Sequence, residues 1–443
     1  MLKKWKIILV VTFLVLSTAG FAFASTDDVK AWLEEVRVKH EGTTVTIAAA
    51  VHPSTTAMKQ VALEFEQATG VNIVWDEMEE GLVITKALLE NQAGTGRYDI
   101  IMNCVEYNPF FIEAGAIEDL RPYLNNEKNI ETPAWHDFED IMYGARDMFY
   151  YEGDIYGVPF AGTLMFLIYN KDIFAKYDKT PPQTWEEFAQ LAKFFKEQGL
   201  YGAAFRAQRG WQFTMIWSAF MSPFGGGMID PDTGRPVMDS PGNIEALKYM
   251  ISLKDFAPLG IENMNYPEVW DALMAGNTAM AIESSSAPSM LENKSVSPVA
   301  GKMGYTAMPA GPRGAYSGVW GWGYSISSQS KNKDAAWATI VWLTSKLNQD
   351  KYLDAGGIVT RESALTDPKY IAKYPHFEAL YKTYQQAGDL AKTGWEIVPK
   401  MLEFAEITEI LGLQGSRGFI GEISAEEACE IAQKESLKVL GFK

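Results

Sequence analysis

Between Thr43 and Cys104 the chain alternates between two hydrophobic patterns, and few folds accept that order. Thr43–Val51 is a continuous apolar, β-rich run, as a strand covered on both faces should be. Ala57–Ala68 is helical, with Val61, Leu63 and Phe65 set among Lys59, Glu64 and Glu66, and Thr69-Gly70 ends it. Val71–Trp75 reads as a second strand, Leu82–Asn91 as a second helix and Tyr98–Cys104 as a third buried strand. This β-α-β-α-β order specifies an α/β lobe with a mostly parallel sheet. The pattern restarts after Tyr156–Tyr169. Trp185–Gln198, Trp211–Phe220 and Ile244–Phe256 read as helices, and Thr278–Ile282 and Tyr324–Ser327 as short apolar strands. Ala335–Ser345 reads as a helix capped by Asp334; Tyr370–Ala387 and Ala425–Leu440 follow. No low-complexity linker or repeat separates the halves, so several segments must cross between two lobes, as in a hinge.

The amino terminus sets the compartment. Lys3, Lys4 and Lys6 precede an apolar Ile7–Leu16, and Ala22-Phe23-Ala24 forms a small-residue cleavage site. That apolar stretch is too short for a secure membrane span. Residues 1–24 are therefore expected to be a signal peptide, with cleavage near Ala24/Ser25 and no lipid-bearing cysteine after it. Losing those three lysines takes the formal charge from −17 to −20. Such a balance excludes nucleic acid, which is bound by neutralising phosphates, and disfavours anionic membranes. The remaining chain of about 420 residues exceeds what one core usually covers. Cys104 and Cys429 are the two cysteines, and spacing does not say whether they pair.

Tyr169–Phe188 reads YNKDIFAKYDKTPPQTWEEF. A strand end runs into a short helix, Pro181-Pro182 break it, and Thr184 with Glu187 forms a capping box for the next helix. In this order the elements resemble the YNKD…PP.TWEEF segment of the family 1 extracellular solute-binding proteins, the sugar-capturing subunits of bacterial ABC importers. Phe65–Val71, Tyr98-Asp99-Ile100, Tyr156-Gly157-Val158-Pro159, Ala275–Met280, Gly321–Ser328 and Ser424–Gln433 are similar to further family segments, in the family's order. The resemblance implies an α/β, two-lobed periplasmic-binding-protein fold (type II), each lobe a mostly parallel sheet flanked by helices, joined by hinge segments around a ligand cleft. It also implies a carbohydrate or polyol ligand, membrane permease subunits as partners, no cofactor and no catalysis; a monomer is expected. On this pattern the first lobe would comprise residues 25–161 with about 284–325, and the second 162–283 with about 326–443. Two departures stand out. Glu283–Pro288 replaces a tryptophan-bearing turn, and Asn103 stands where maltodextrin-binding relatives place tryptophan. Both reduce flat aromatic area. Glu79-Glu80-Gly81-Leu82 and Glu106-Tyr107 look more like the sorbitol- and mannitol-binding members.

Binding a polyhydroxylated solute calls for planar hydrogen-bonding groups and an aromatic face, carried on loops at strand ends. His52 follows the first strand, as ligand contact or as a cap for the next helix. Asn103, Glu106 and Tyr107 follow the third strand, and Glu80 opens a helix. Thr163 lies in the crossing. Arg209 and Trp211 open a helix whose free N–H groups suit ligand oxygens, with a core role the alternative for Trp211. Glu283 and Ser284 end the Thr278 strand where relatives contact sugar. Trp320 and Trp322 flank Gly321 in a Gly-rich stretch and offer stacking faces. Arg361 follows Gly356-Gly357, to donate to hydroxyls or to pair with the neighbours of Glu362. Two other classes would be a secreted glycoside hydrolase using Glu106 or Glu283, and a solute-binding protein for a metal ion. The four histidines lack paired spacing, no CxxC or EF-hand loop occurs, and Gly225–Gly227 lacks the Lys-Ser/Thr of a phosphate loop.

Overall fold

The computed structural model describes residues 25–442; the expected signal peptide lies outside them. In chain order the strands are β1 Thr44–Ala50, β2 Asn72–Met78, β3 Ile100–Cys104, the hairpin β4 Tyr150–Tyr151 and β5 Asp154–Ile155, β6 Val158–Asn170, β7 Tyr201–Ala204, β8 Thr278–Ser284, β9 Met303–Thr306 and β10 Val319–Ile326. Apart from the separate β4-β5 hairpin, they form one continuous ladder, β2-β1-β3-β10-β6-β8-β7, with β9 also on β6. The outer pairs β1/β2, β1/β3 and β7/β8 are parallel. Antiparallel pairing within the ladder always involves β6 or β10.

The ladder is continuous because β6 serves two sheets. Val158–Leu164 pairs with β10, whereas Met165–Asn170 pairs with β8 and β9. The first lobe is thus β2-β1-β3-β10-β6 and the second β9-β6-β8-β7. Gly162 and Gly321 face each other across the β6/β10 ladder, where the backbones are crowded. A Cβ on Gly321 would run into the Ala161 carbonyl, and one on Gly162 into the Tyr384 hydroxyl. Tyr384, from the helix Phe377–Ala391, donates to the carbonyls of Gly162 at 3.1 Å and Val359 at 3.0 Å. It fastens the crossing from behind.

Local chemistry sets the flanking helices. Pro53–Thr69 has His52 as N-cap, proline in its first turn and Gly70 closing it at φ 70°. Trp185–Glu197 carries the capping box of Thr184 and Glu187. The helix Lys333–Leu343 is capped at Asn332 rather than Asp334, which lies in its first turn and accepts from the Asn129 amide.

The expected lobe boundaries do not follow the packing throughout, as Lys333–Leu343 and β9 show. Lys333–Leu343 belongs with the first lobe, since Trp342 Nε1 donates to the Val61 carbonyl at 3.1 Å and Trp337 Nε1 to Thr132 Oγ1 at 2.9 Å. This helix is buried on all sides, so its pattern pointed to neither lobe. Strand β9 pairs with the second-lobe half of β6, not with the first lobe. The chain returns to the second lobe in Phe404–Ile420 and Ala425–Val439, which pack with Trp211–Met221 and Pro241–Ser252. Cys104 and Cys429 fall in different lobes, and both are buried and free. Among the described residues no helix is long and apolar enough to cross a membrane.

Candidate functional site

A cavity of about 480 Å³ lies where the two lobes meet the crossing strands. Its floor is the outer part of that crossing: Thr163 on β6, and Trp320, Gly321 and Trp322 on β10. Trp320 pairs with Thr163 in register, so one hydroxyl and one indole sit side by side. Trp320 is only 5% exposed, and its Nε1 has no hydrogen-bond partner in the protein. Trp322 leans toward His52, with ring centroids 6.0 Å apart.

The first lobe supplies one wall. Cys104 ends β3; Glu106 and Tyr107 form the turn after it, and Phe110 lies in the helix Asn108–Glu113. Glu80 opens the helix Glu80–Gln92 and is exposed at the rim. Partial burial of Glu80 on its cavity side and deeper burial of Glu106 raise both carboxyls above the ordinary range, Glu79 adding to the first and Glu80 to the second. Tyr107 is pushed up to about 12 by burial and by the negative charge around it. Among the described residues none of Glu80, Glu106 and Glu409 forms an ion pair.

The second lobe supplies the other wall. Trp211 and Met215 come from the helix Trp211–Met221, and Phe404, Ala405, Thr408 and Glu409 from Phe404–Ile420. Trp211 packs edge-on against Phe404, with centroids 5.7 Å apart. Gly210 caps the first of these helices at φ 92°, with the Glu409 carboxylate beside it. A glycine row, Gly412, Gly415 and Gly418, lets Phe404–Ile420 press close: Gly412 meets the Gly210 backbone and Gly415 the rings of Phe213 and Trp217. Phe404, Thr408 and Glu409 were not foreseen because this glycine spacing interrupts the apolar period of the helix. Three glycines three residues apart were the available signal.

Seven of the expected residues therefore line one cavity: Glu80, Glu106, Tyr107, Thr163, Trp211, Trp320 and Trp322. The other six do not. His52 is an N-cap whose Nδ1 accepts from Ser54 N at 3.1 Å, and it stands behind Trp322. Burial brings its imidazole down to about 4. Asn103 is fully buried, donating to Asn108 Oδ1 at 2.8 Å and Ser325 Oγ at 3.3 Å, so it ties β3 to β10. Arg209 is exposed. Arg361 is 1% exposed and donates to the Thr344 carbonyl at 3.0 and 2.6 Å, the Asp137 carbonyl at 2.8 Å and Asp140 at 3.2 Å. It is a buried clamp, pairing with a carboxylate.

Glu283 and Ser284 are buried inside the second lobe. Arg206 Nε donates to both Glu283 oxygens, at 3.0 and 2.9 Å, and Nη2 donates to Ser284 Oγ at 3.0 Å. Arg206 Nη1 reaches Gln212 Oε1 at 2.9 Å, so the network braces the helix start that carries Trp211. Arg206 went unread because its partner lies 77 residues away. Among the described residues no group of three or more His, Cys, Asp or Glu is placed to hold a metal ion.

Residues 49–350 match the family model described as bacterial extracellular solute-binding protein. An erythritol/L-threitol-binding protein of Mycolicibacterium smegmatis is 29% identical over 337 residues, covering 72% of this chain and 70% of that one. A mannitol-binding protein of Pseudomonas aeruginosa is 24% identical, over 89% of this chain and 92% of its own. The crystal structure of an ABC transporter solute-binding protein from Agrobacterium radiobacter in complex with ribitol superposes with a TM-score of 0.75 at 27% identity, covering 90% of this chain and 99% of that one.

Proposed function

This chain belongs to the bacterial extracellular solute-binding proteins, and on that premise we propose that its interlobe cavity takes a polyol or sugar of four to six carbons. It acts outside the cytoplasm, periplasmic or secreted, as the capture component of an ABC transporter for carbohydrate or polyol. Residues 1–24 are the export signal, the closed protein is handed to the permease as a monomer, and no chemistry is done on the ligand.

The observation that carries the ligand class is the cavity lining. Trp320 and Trp322 offer faces for the C–H side of a carbon chain, while Thr163, Glu80, Glu106, Glu409 and the free Trp320 N–H offer partners to its hydroxyls. Tyr107 and Trp211 close it from opposite lobes. Relatives that bind erythritol or threitol, mannitol and ribitol fit a short, flexible ligand. Lobe closure is then driven by the ligand's greater affinity for the closed state.

Thermal melting of the mature chain with erythritol, ribitol, mannitol, sorbitol, maltose and maltotriose tests this. A ligand at 100 times its Kd adds about 2.7 kcal/mol of stability. The expected result is a shift with a linear four- to six-carbon polyol and none with maltotriose. A shift with maltotriose alone would reverse the size assignment.

A further inference from the structure

The charge in the cavity is one-sided. Glu80 and Glu106 enter from the first lobe and Glu409 from the second, while the lining contains no Lys, Arg or His. Arg206, which reaches the lining residue Met215, is spent on Glu283, and Arg209 is exposed to solvent. A neutral ligand can donate hydroxyls to these carboxylates, but it cannot cancel their charge as the lobes close and water leaves. Glu80 stands close enough to Glu106 to add to its upward shift, and among the described residues none of the three acids has an ion-pair partner. The aromatic rings have the same preference, because indole and phenol faces attract cations.

A second observation, independent of the acidic groups, fixes the rest of the ligand. Trp320 is buried, lines the same cavity and keeps an indole N–H without an acceptor. That donor calls for a ligand oxygen. The ligand must therefore present a hydroxyl at the floor and a cationic donor toward the carboxylates.

Resting on the polyol reading above, we propose that the preferred solute is an aminated polyol or amino sugar, its ammonium held between Glu106 and Glu409 and its hydroxyls on Thr163 and the Trp320 N–H. The ammonium supplies three donors where a hydroxyl supplies one, and it cancels charge that both lobes bring to the closing cleft.

Isothermal titration of the mature chain with 1-amino-1-deoxy-D-glucitol against D-glucitol, and with D-glucosamine against D-glucose, tests the proposal. At neutral pH and low salt, the amine of at least one pair should bind tenfold or more tighter than its neutral partner. The gap should shrink as salt rises. In Glu106→Gln and in Glu409→Gln the gap should narrow severalfold, and circular dichroism would report that each variant is folded. Equal or tighter binding of the neutral partner in both pairs overturns the ammonium assignment and leaves the polyol reading intact. Absence of binding by all four, and by the neutral polyols above, overturns both together.

Discussion

Glu283 shows how position and direction come apart at the scale of a residue. Its place at a strand end was legible, and such places often face ligand. Which face of β8 it takes depends on Arg206, and the pairing is long-range. Both oxygens accept from one guanidinium in a buried site. Glu283→Gln would leave Arg206 as an uncompensated buried charge, and breaking such a pair costs about 3–5 kcal/mol. Urea unfolding of the unliganded variant should show that loss; unchanged stability with abolished binding would make Glu283 a ligand group instead. The tryptophans behave differently. Trp320 and Trp322 were legible as cleft candidates because they flank Gly321 in a Gly-rich crossing, and they line the cavity even though Trp320 is also buried against the core. Trp322→Ala should weaken polyol binding by about 1–2 kcal/mol, read as Kd, if its face carries the carbon chain. An unchanged Kd would place the ligand wholly on Trp320.

At the scale of elements, the strands of the first lobe were plain from sequence because continuous apolar runs bounded by turns admit little else. β10 was only half legible. Its Gly321 and Gly323 fell in a Gly-rich stretch outside the expected strand Tyr324–Ser327, yet they are glycine because the Ala161 carbonyl and the Phe149 ring occupy the space of a Cβ. The helix Phe404–Ile420 was hidden for a related reason. Its glycines look like breaks, but they are the close-packing row that sets Thr408 and Glu409 in the cavity. The sign of a Gly412→Ala substitution decides between these views. In an open helix the change stabilises by about 1 kcal/mol. Here the new methyl meets the Gly210 backbone, so a net loss of about 1–3 kcal/mol is expected, the usual cost of overpacking. Ligand affinity should fall with it, because Glu409 and the Trp211 helix start are displaced together. A stabilised variant with unchanged affinity would refute the close contact.

At the scale of the whole molecule, two lobes and a crossing were readable from length and the restarted pattern, whereas the route of the chain was not. A helix apolar on every side, such as Lys333–Leu343, carries no mark of the lobe it joins. Titration is also a property of the whole fold, since all four histidines are held below their ordinary value, chiefly by burial: His40, His52, His136 and His376. His52 and His376 come down to about 4. The unfolded chain takes up these protons near 6.5, the folded one only at lower pH. Between those values the unfolded state binds more protons, so stability is full above about pH 6.5 and is lost as pH falls toward 4. Each such histidine contributes at most about 1.4 kcal/mol per pH unit within that window. Acidification also lowers the net negative charge of the chain, which acts the other way. Most carboxylates stay ionised above about pH 5, so that relief arrives below the onset of the histidine loss. The melting temperature of the unliganded mature chain should therefore decline from pH 7 to pH 5 before any carboxylate effect. A melting temperature that stays level or rises over that interval would mean that charge relief outweighs the buried imidazoles, and that repulsion among the acidic groups limits the stability of this fold.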